Sequence, residues 1–358
     1  MMQKQKGSFA GVIVPVLSII LALLIGCIII FCLGANPFVA LQSLAVGAFG
    51  SKANIGTTLT KATPLIFTAL CACFAYKCGV FNLGGEGQFI MGCVAAIYVT
   101  LTTGITGVPA IILALIAGAA AGGFWGFLPG ILKITRGQNE MIISIMFNYI
   151  ATLFMGVVYT NWLRDGSVPQ TGAVPKESQL PRLIPGMRMT WGFVIAVVVG
   201  ICIAYFLYRT SPGFKLRAVG INATAAKFNG FPVKRYLLMS FIVSGAIAGL
   251  GGSAEILGTQ FRLINGYAAG YGFDGVAMAL IGQLNPIATM FVALLFAALR
   301  AGATTMQAAT GVPTSVSDII QALVIVFTVA GMALTKLPEF TAMLQRRGKR
   351  SGKEVNKA

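Results

Sequence analysis

Long apolar runs separated by short polar stretches dominate this chain. A helix rises 1.5 Å per residue, so crossing the hydrocarbon of a bilayer takes about 20 mostly apolar residues. Nine runs approach or exceed that length: Gly11–Leu33, Thr57–Tyr76, Leu83–Thr103, Val108–Leu132, Met141–Tyr159, Trp191–Tyr208, Tyr236–Leu257, Ile287–Thr305 and Ile319–Leu337. A tenth stretch, Ala268–Leu284, is shorter and glycine-rich. The pattern predicts an all-α fold, a polytopic membrane helix bundle. Asn36–Ser51 is too polar and too broken by glycine to span, and is expected to form an interfacial helix at the outer face.

Charge settles the tenth stretch. With the N-terminus inside, nine crossings put the C-terminus outside. The tail carries Arg346, Arg347, Lys349, Arg350, Lys353 and Lys357, which favours the cytoplasmic side. Counting Ala268–Leu284 as a span gives about ten transmembrane segments and places both termini in the cytoplasm. Lys77, Lys133, Arg136 and the basic stretch Arg209–Arg235 then also fall inside. The long, proline-rich Asn161–Thr190 loop falls outside and reads as irregular. The first run follows Lys4 and Lys6 without a clear A-x-A site, so it reads as a retained span and not a cleaved leader. One transmembrane domain over residues 1–358 is expected, with a cytoplasmic loop at 209–235 and a basic tail at 338–358.

Composition strengthens the membrane reading and removes several chemistries. The chain is 57% hydrophobic and 10% charged, against about 25% charged in a soluble domain. Its net charge of +17 lies in loops and a tail and on no basic face interleaved with aromatics, so nucleic acid is not an expected partner. There is no histidine, which excludes Ser-His-Asp and Cys-His catalysis and every histidine metal site. The seven cysteines are scattered through apolar runs and read as small packing residues.

Glycine spacing indicates how the helices meet. Gly118, Gly122, Gly126 and Gly130 recur every fourth residue, and Gly245 and Gly249 repeat the interval. Such stripes let helix backbones approach closely in lipid.

The polar residues that interrupt apolar runs are the candidates for function. Ionisable groups in or beside spans are costly. The acids Glu86, Glu140, Glu255, Asp274 and Asp318 lie near predicted helix ends or glycine-rich breaks, and Glu255 comes nearest to a position inside a span. One break, Gly79–Gln88, contains Asn82, Glu86 and Gln88, and a second, Gly266–Gly275, contains Asp274. Non-helical backbone at membrane depth is tolerated only where protein or a water-filled cavity covers it. A pair of such breaks, one in each half, points to an internal repeat, an inverted one being the candidate, with a route between the halves; a simple tight turn between two helices is the alternative for each. Asn139 is a candidate N-cap with Glu140 in the first turn, ahead of Asn148. In the cytoplasmic loop, Asn222 and Gly230 bracket a short helix about 12 Å long. A structured helix there is what a motor subunit would push on.

Several of these segments resemble one family. Ala225-Ala226-x-x-x-Gly230 is similar to the Ala-Ala-x-x-x-Gly core of the cytoplasmic loop in ABC importer permeases, with Thr224 where many permeases have Glu. Phe81-Asn82-Leu83-Gly84-Gly85-Glu86-Gly87-Gln88 closely resembles the Phe-Asn-Ile-Gly-Ala-Glu-Gly-Gln signature of nucleoside permeases, departing at Leu83 and Gly85. Thr63-Pro64-Leu65, Asn139–Ile142 with Asn148-Tyr149, and Lys215–Gly220 with Asn222 resemble further blocks in the same order, from about Thr63 to Pro286. The wider family takes in ribose and branched-chain amino acid permeases.

The resemblance implies a permease subunit of an ATP-driven importer in the bacterial inner membrane, moving nucleosides by alternating access. It implies four kinds of partner: an ABC ATPase, a second permease, paralogous to this one, an extracytoplasmic substrate-binding protein, and membrane lipid. The chain has no G-x-x-x-x-G-K-[ST] motif, so no ATP site, cofactor or enzymatic activity of its own is expected. Asn82, Glu86, Gln88, Asn139, Asn148 and Asp274 are the candidates for the substrate pathway. Lys215, Arg217, Ala225, Ala226 and Gly230 are the candidates for ATPase coupling. The same architecture serving ribose or another simple sugar is one alternative, and an ion-coupled secondary transporter is another. A membrane enzyme is disfavoured by the lack of clustered catalytic groups, and a structural or signalling role would not require paired breaks.

Overall fold

The computed structural model describes residues 10–267 and 270–334. Among these residues the chain is helical, with three isolated β-bridges and no named strand. The thirteen α-helices are α1 (Ala10–Cys32), α2 (Pro37–Phe49), α3 (Lys52–Lys77), α4 (Gly85–Thr102), α5 (Val108–Arg136), α6 (Glu140–Val157), α7 (Trp191–Arg209), α8 (Ser211–Ile221), α9 (Ala223–Phe228), α10 (Val233–Glu255), α11 (Tyr271–Ile281), α12 (Pro286–Thr310) and α13 (Ser315–Leu334). Six of them are long and apolar enough to cross a membrane: α3, α5, α6, α7, α10 and α12, with α6 and α10 each extended by a π-helical turn. A bent pair, Leu17–Cys32 with Pro37–Phe49, would make a seventh. The protein is therefore a multi-pass membrane protein. The other apolar runs appear as α1, α4, α11 and α13, while Asn36–Ser51 holds α2. The basic tail at 338–358, together with Lys4 and Lys6, lies outside the described residues.

The chain forms two compact units, one from Met1–Leu44 and Ala303–Ala358, the other from Ala45–Gly302. In the first, α1 packs on α13. Ser18, Ala22, Gly26 and Ile30 form a buried stripe at four-residue intervals, and a Cβ added at Gly26 would stand 2.7 Å from the Ile320 side chain. The opposite face shows Leu17, Leu21, Leu24, Ile28 and Phe31 outward. Small residues inside and large apolar residues outside is the pattern of a helix solvated by lipid.

The second unit is built around α3 and α10. The apolar window of α3 is 83% buried and that of α10 is 61% buried, whereas α5, α6 and α7 keep most of theirs outward. Pro64 sits inside α3, where it removes one backbone donor. Hydroxyls on either side fold back onto the helix: Thr63 donates to Leu59 O at 3.1 Å and Thr68 to Pro64 O at 3.1 Å.

The glycine stripes pair with each other. Gly118, Gly122 and Gly126 on α5 lie against Phe241, Gly245, Gly249 and Ser253 on α10. A Cβ at Gly122 would stand 2.7 Å from the Gly249 Cα. No side chain fits there, so the two backbones meet directly.

The Asn161–Thr190 loop is irregular but anchored. Thr171 N donates to Leu263 O at 3.1 Å, Val174 N to Phe261 O at 2.8 Å and Leu180 N to Leu257 O at 2.8 Å. These bonds lay the loop along the π-helical turn Ile256–Gln260 and the residues that follow it.

Candidate functional site

The first break leaves α3 at Cys78, passes Gly79 in the left-handed region (φ 76°) and re-enters a helix at Gly85. Its side chains bond to one another. Asn82 Nδ2 donates to Gln88 Oε1 at 3.0 Å and to Ser244 Oγ on α10 at 2.9 Å. Gln88 Nε2 returns a bond to Asn82 Oδ1 at 3.1 Å, and Gly84 N donates to the same oxygen at 2.9 Å. Cys71 Sγ lies 3.6 Å from Gln88 Oε1 at the edge of this network. Asn148 on α6 caps the start of α4: its Oδ1 accepts from Gly87 N at 2.8 Å and its Nδ2 donates to Leu83 O at 2.9 Å. Asn82, Gln88, Glu86 and Asn148 are all buried, and each buried amide is satisfied within the fold.

Glu86 links the two breaks. It lies in the first turn of α4, yet its carboxylate serves α11. Oε1 accepts from Gly270 N at 2.8 Å and Oε2 from Gly272 N at 2.5 Å. These N–H groups lie at the N-terminus of α11, where four backbone donors have no intrahelical partner and a negative charge meets the positive end of the helix dipole. The approach requires glycine: a Cβ at Gly272 would stand 2.7 Å from the Glu86 Cα.

Asp274, in the first turn of α11, is not part of that network and pairs instead with Arg300 on α12. The Arg300 guanidinium also lies 6.0 Å from the centre of the Tyr271 ring. Lys61 on α3 donates from Nζ to the Arg300 carbonyl at 3.0 Å. Neither Lys61 nor Arg300 is among the sequence candidates, although both basic residues stand within apolar runs.

Asn139 caps α6, accepting from Met141 N at 3.0 Å, and is exposed. Glu140 beside it binds Lys133 Nζ at 2.5 Å. Glu255 ends α10 fully enclosed. Its Oε2 has no hydrogen-bond partner among the described residues. A cavity of about 690 Å³ opens at the Asn161–Thr190 loop, with Thr60, Val108, Ile111, Glu177, Arg188 and Phe261 among its walls. Phe261 holds a left-handed backbone at φ 58°, a conformation uncommon for a bulky residue.

At the opposite end of α10, the 209–235 loop folds into two helices, not one. Thr210 caps α8, accepting from Gly213 N at 3.2 Å, with Pro212 in the first turn. Asn222 caps α9, accepting from Ala225 N at 2.9 Å, and Gly230 follows with φ 77°. Leu216, Val219 and Ala226 are buried against the unit, whereas Ile221 is 86% exposed and Phe228 is 88% exposed. Lys215 lies over the Phe231 ring at 5.8 Å and Arg217 over the Tyr208 ring at 5.1 Å. Ala225 and Gly230 are exposed.

Comparison with known proteins gives the family. Residues 54–329 match the family model described as the permease component of the branched-chain amino acid transport system. The chain is 36% identical to a guanosine ABC transporter permease protein of Bacillus subtilis over 90% of its own length and 94% of the relative's. It is 34% identical to a nucleoside ABC transporter permease protein of Lactococcus lactis, covering 88% of this chain and 90% of that one. It is 31% identical to a glucose ABC transporter permease protein of Haloferax volcanii, covering 88% and 86%. No solved structure matches the chain. The chain belongs to this family of ABC transporter permease components, proteins of transport and not of catalysis.

Proposed function

We propose that this chain is the membrane-spanning permease subunit of an ATP-driven importer for nucleosides, working by alternating access. The observation that carries the reading is the similarity to guanosine and nucleoside permeases over about nine-tenths of both chains. Within that similarity, the residues of the Phe81–Gln88 block tie the two broken segments together. Glucose is the second reading, favoured by the similar permease of Haloferax volcanii.

In this proposal α1, α4, α11 and α13 join the six long helices to make ten crossings, with both termini and the α8–α9 loop in the cytoplasm, and the two breaks mark an inverted repeat. The partners are an ATPase, a second permease of the same family and an extracytoplasmic binding protein. The ATPase seats on α9. Ile221, Ala225, Phe228 and Gly230 face it, Ala226 fixes α9 to the bundle, and Lys215 and Arg217 hold α8 in place through their aromatic neighbours. ATP binding moves α9 and with it the bundle. A ligand is carried only if the two states bind it differently. Asp274 faces the route, while Asn82, Glu86, Gln88 and Asn148 hold the breaks that shape it. Asn139 stands at the cytoplasmic mouth.

The test is uptake of labelled guanosine, uridine, adenosine, ribose and glucose in cells with and without the gene, with ATP and the ion gradient varied separately. Loss of ATP-dependent nucleoside uptake is the expected result. Loss of sugar uptake alone would replace the substrate. Uptake that follows the ion gradient and ignores ATP would overturn the importer.

A further inference from the structure

In the second unit Asp274 on α11 pairs with Arg300 on α12, and Lys61 on α3 donates to the Arg300 backbone carbonyl. Lys61 is the tenth residue of a 26-residue helix, about 14 Å along it. Arg300 is the fifteenth residue of a 25-residue helix. Thr60, beside Lys61, donates to the Arg188 carbonyl of the Asn161–Thr190 loop at 3.0 Å, so Lys61 stands towards the loop end of α3. Ionisable groups in a span are costly and face the bundle interior or a water-filled cavity. The Arg300 and Asp274 side chains keep 29% and 27% of their surface open, and Lys61 is likewise only partly covered. Charges left open beside a span do not face lipid, so this opening is to the bundle interior or to water.

The chemistry of the cluster is one-sided. Asp274 balances Arg300, which leaves Lys61 as a surplus positive charge. Its ammonium carries three N–H donors and no acceptor. Among the described residues it makes one hydrogen bond, to the Arg300 carbonyl. A backbone carbonyl positions the ammonium without neutralising it. The preceding residue, Thr60, lines the 690 Å³ cavity at the loop end of the same helix.

We infer that Lys61 is a specificity-determining residue on the translocation route, donating to an acceptor edge of the nucleobase while the Asp274–Arg300 pair fixes its surroundings. The inference rests on the nucleoside reading above. A donor-only group discriminates best in favour of an edge that offers acceptors alone. Nucleobases offer such atoms, as in O6 and N7 of guanine, whereas each ribose hydroxyl both donates and accepts. The Asn82–Gln88–Ser244 network, which meets α3 at Cys71 about 15 Å further along, spends its donors and acceptors internally.

The experiment uses the complete importer in proteoliposomes, with its own binding protein, and guanosine, 2-aminopurine riboside (no O6) and 7-deazaguanosine (no N7) as probes. Affinity of the binding protein for each probe is measured first, and rates are compared at saturation. The wild type is expected to favour guanosine at least about tenfold over one analogue, the scale of one hydrogen bond to a charged group. Lys61→Met should slow guanosine about tenfold and bring the three rates within twofold of each other. Lys61→Arg should restore the preference. Lys61→Gln, which keeps a donor without charge, gives an intermediate preference and replaces the Met variant if that variant fails to reach the membrane. A Lys61→Met importer that keeps the wild-type preference, or one that slows all three probes equally, overturns the inference and leaves the nucleoside importer standing. A wild type that carries none of the probes or any other nucleoside overturns both.

Discussion

The carboxylate of Glu86 accepts the backbone N–H of Gly272 at 2.5 Å, so a side chain from one interrupted helix closes the start of another 186 residues away. Gly270 N donates to the second oxygen of the same carboxylate. Glu86→Ala strands both donors in a buried setting. Each unsatisfied group costs about 1–3 kcal/mol. Glu86→Gln keeps one acceptor and turns an amide donor towards the other N–H. The expected order of thermal stability in detergent is wild type, then Gln, then Ala. Equal stability of all three would show that water replaces the carboxylate.

The α5–α10 contact gives a second prediction. Gly122→Ala places a Cβ 2.7 Å from the Gly249 Cα, where only backbone can move aside. Overpacking of this kind costs about 1–3 kcal/mol. Gly156→Ala on α6 meets nothing nearer than 3.7 Å and should be tolerated. Membrane abundance and melting temperature of the two variants are the measurements.

A third concerns the buried amides. Asn82→Asp replaces the donor that serves both Gln88 Oε1 and Ser244 Oγ with an acceptor. It also buries a charge with no cation among its partners, so the loss should exceed that of Ser244→Ala by about 2 kcal/mol or more. Chemical denaturation of the purified permease, read for each single variant and the double, gives the coupling.

A fourth separates coupling from folding. Phe228 and Ile221 make little contact within the chain, so Phe228→Ala should leave its melting temperature within about 1 °C, as surface changes usually do within ±0.5 kcal/mol. The same change should lower nucleoside-stimulated ATP hydrolysis several-fold in the assembled importer. A bulky residue at Gly230, where φ is 77°, adds backbone strain of about 1 kcal/mol and should act in the same direction. Intact coupling in both variants would remove α9 as the docking element.

Most of the architecture was legible because lipid imposes length and apolarity on each spanning helix. The ten apolar runs each became a helix, with ends shifted by a few residues, and the two glycine stripes found each other. Local caps were legible too: Asn139 and Asn222 both accept the bonds their positions suggested. What failed was whatever depends on distant partners. Glu86 stands where it favours its own helix, but the glycines near 270–272 admit it to α11. Thr210-Ser211-Pro212 carried a start signal for α8, which was passed over because the stretch follows a span and reads as a loop. Lys61 and Arg300 went unnoticed because their weight comes from meeting each other and Asp274, which no spacing along the chain reveals.

The seam without side chains between α5 and α10 has a mechanical consequence. Interlocked backbones have no rotamers to exchange and almost no room to slide, so these helices travel as one strut. Only Asn229–Pro232 separates the end of α9 from the start of α10. A displacement applied at α9 therefore reaches the far end of a shaft about 35 Å long without being absorbed on the way. The bending has to occur elsewhere in the bundle.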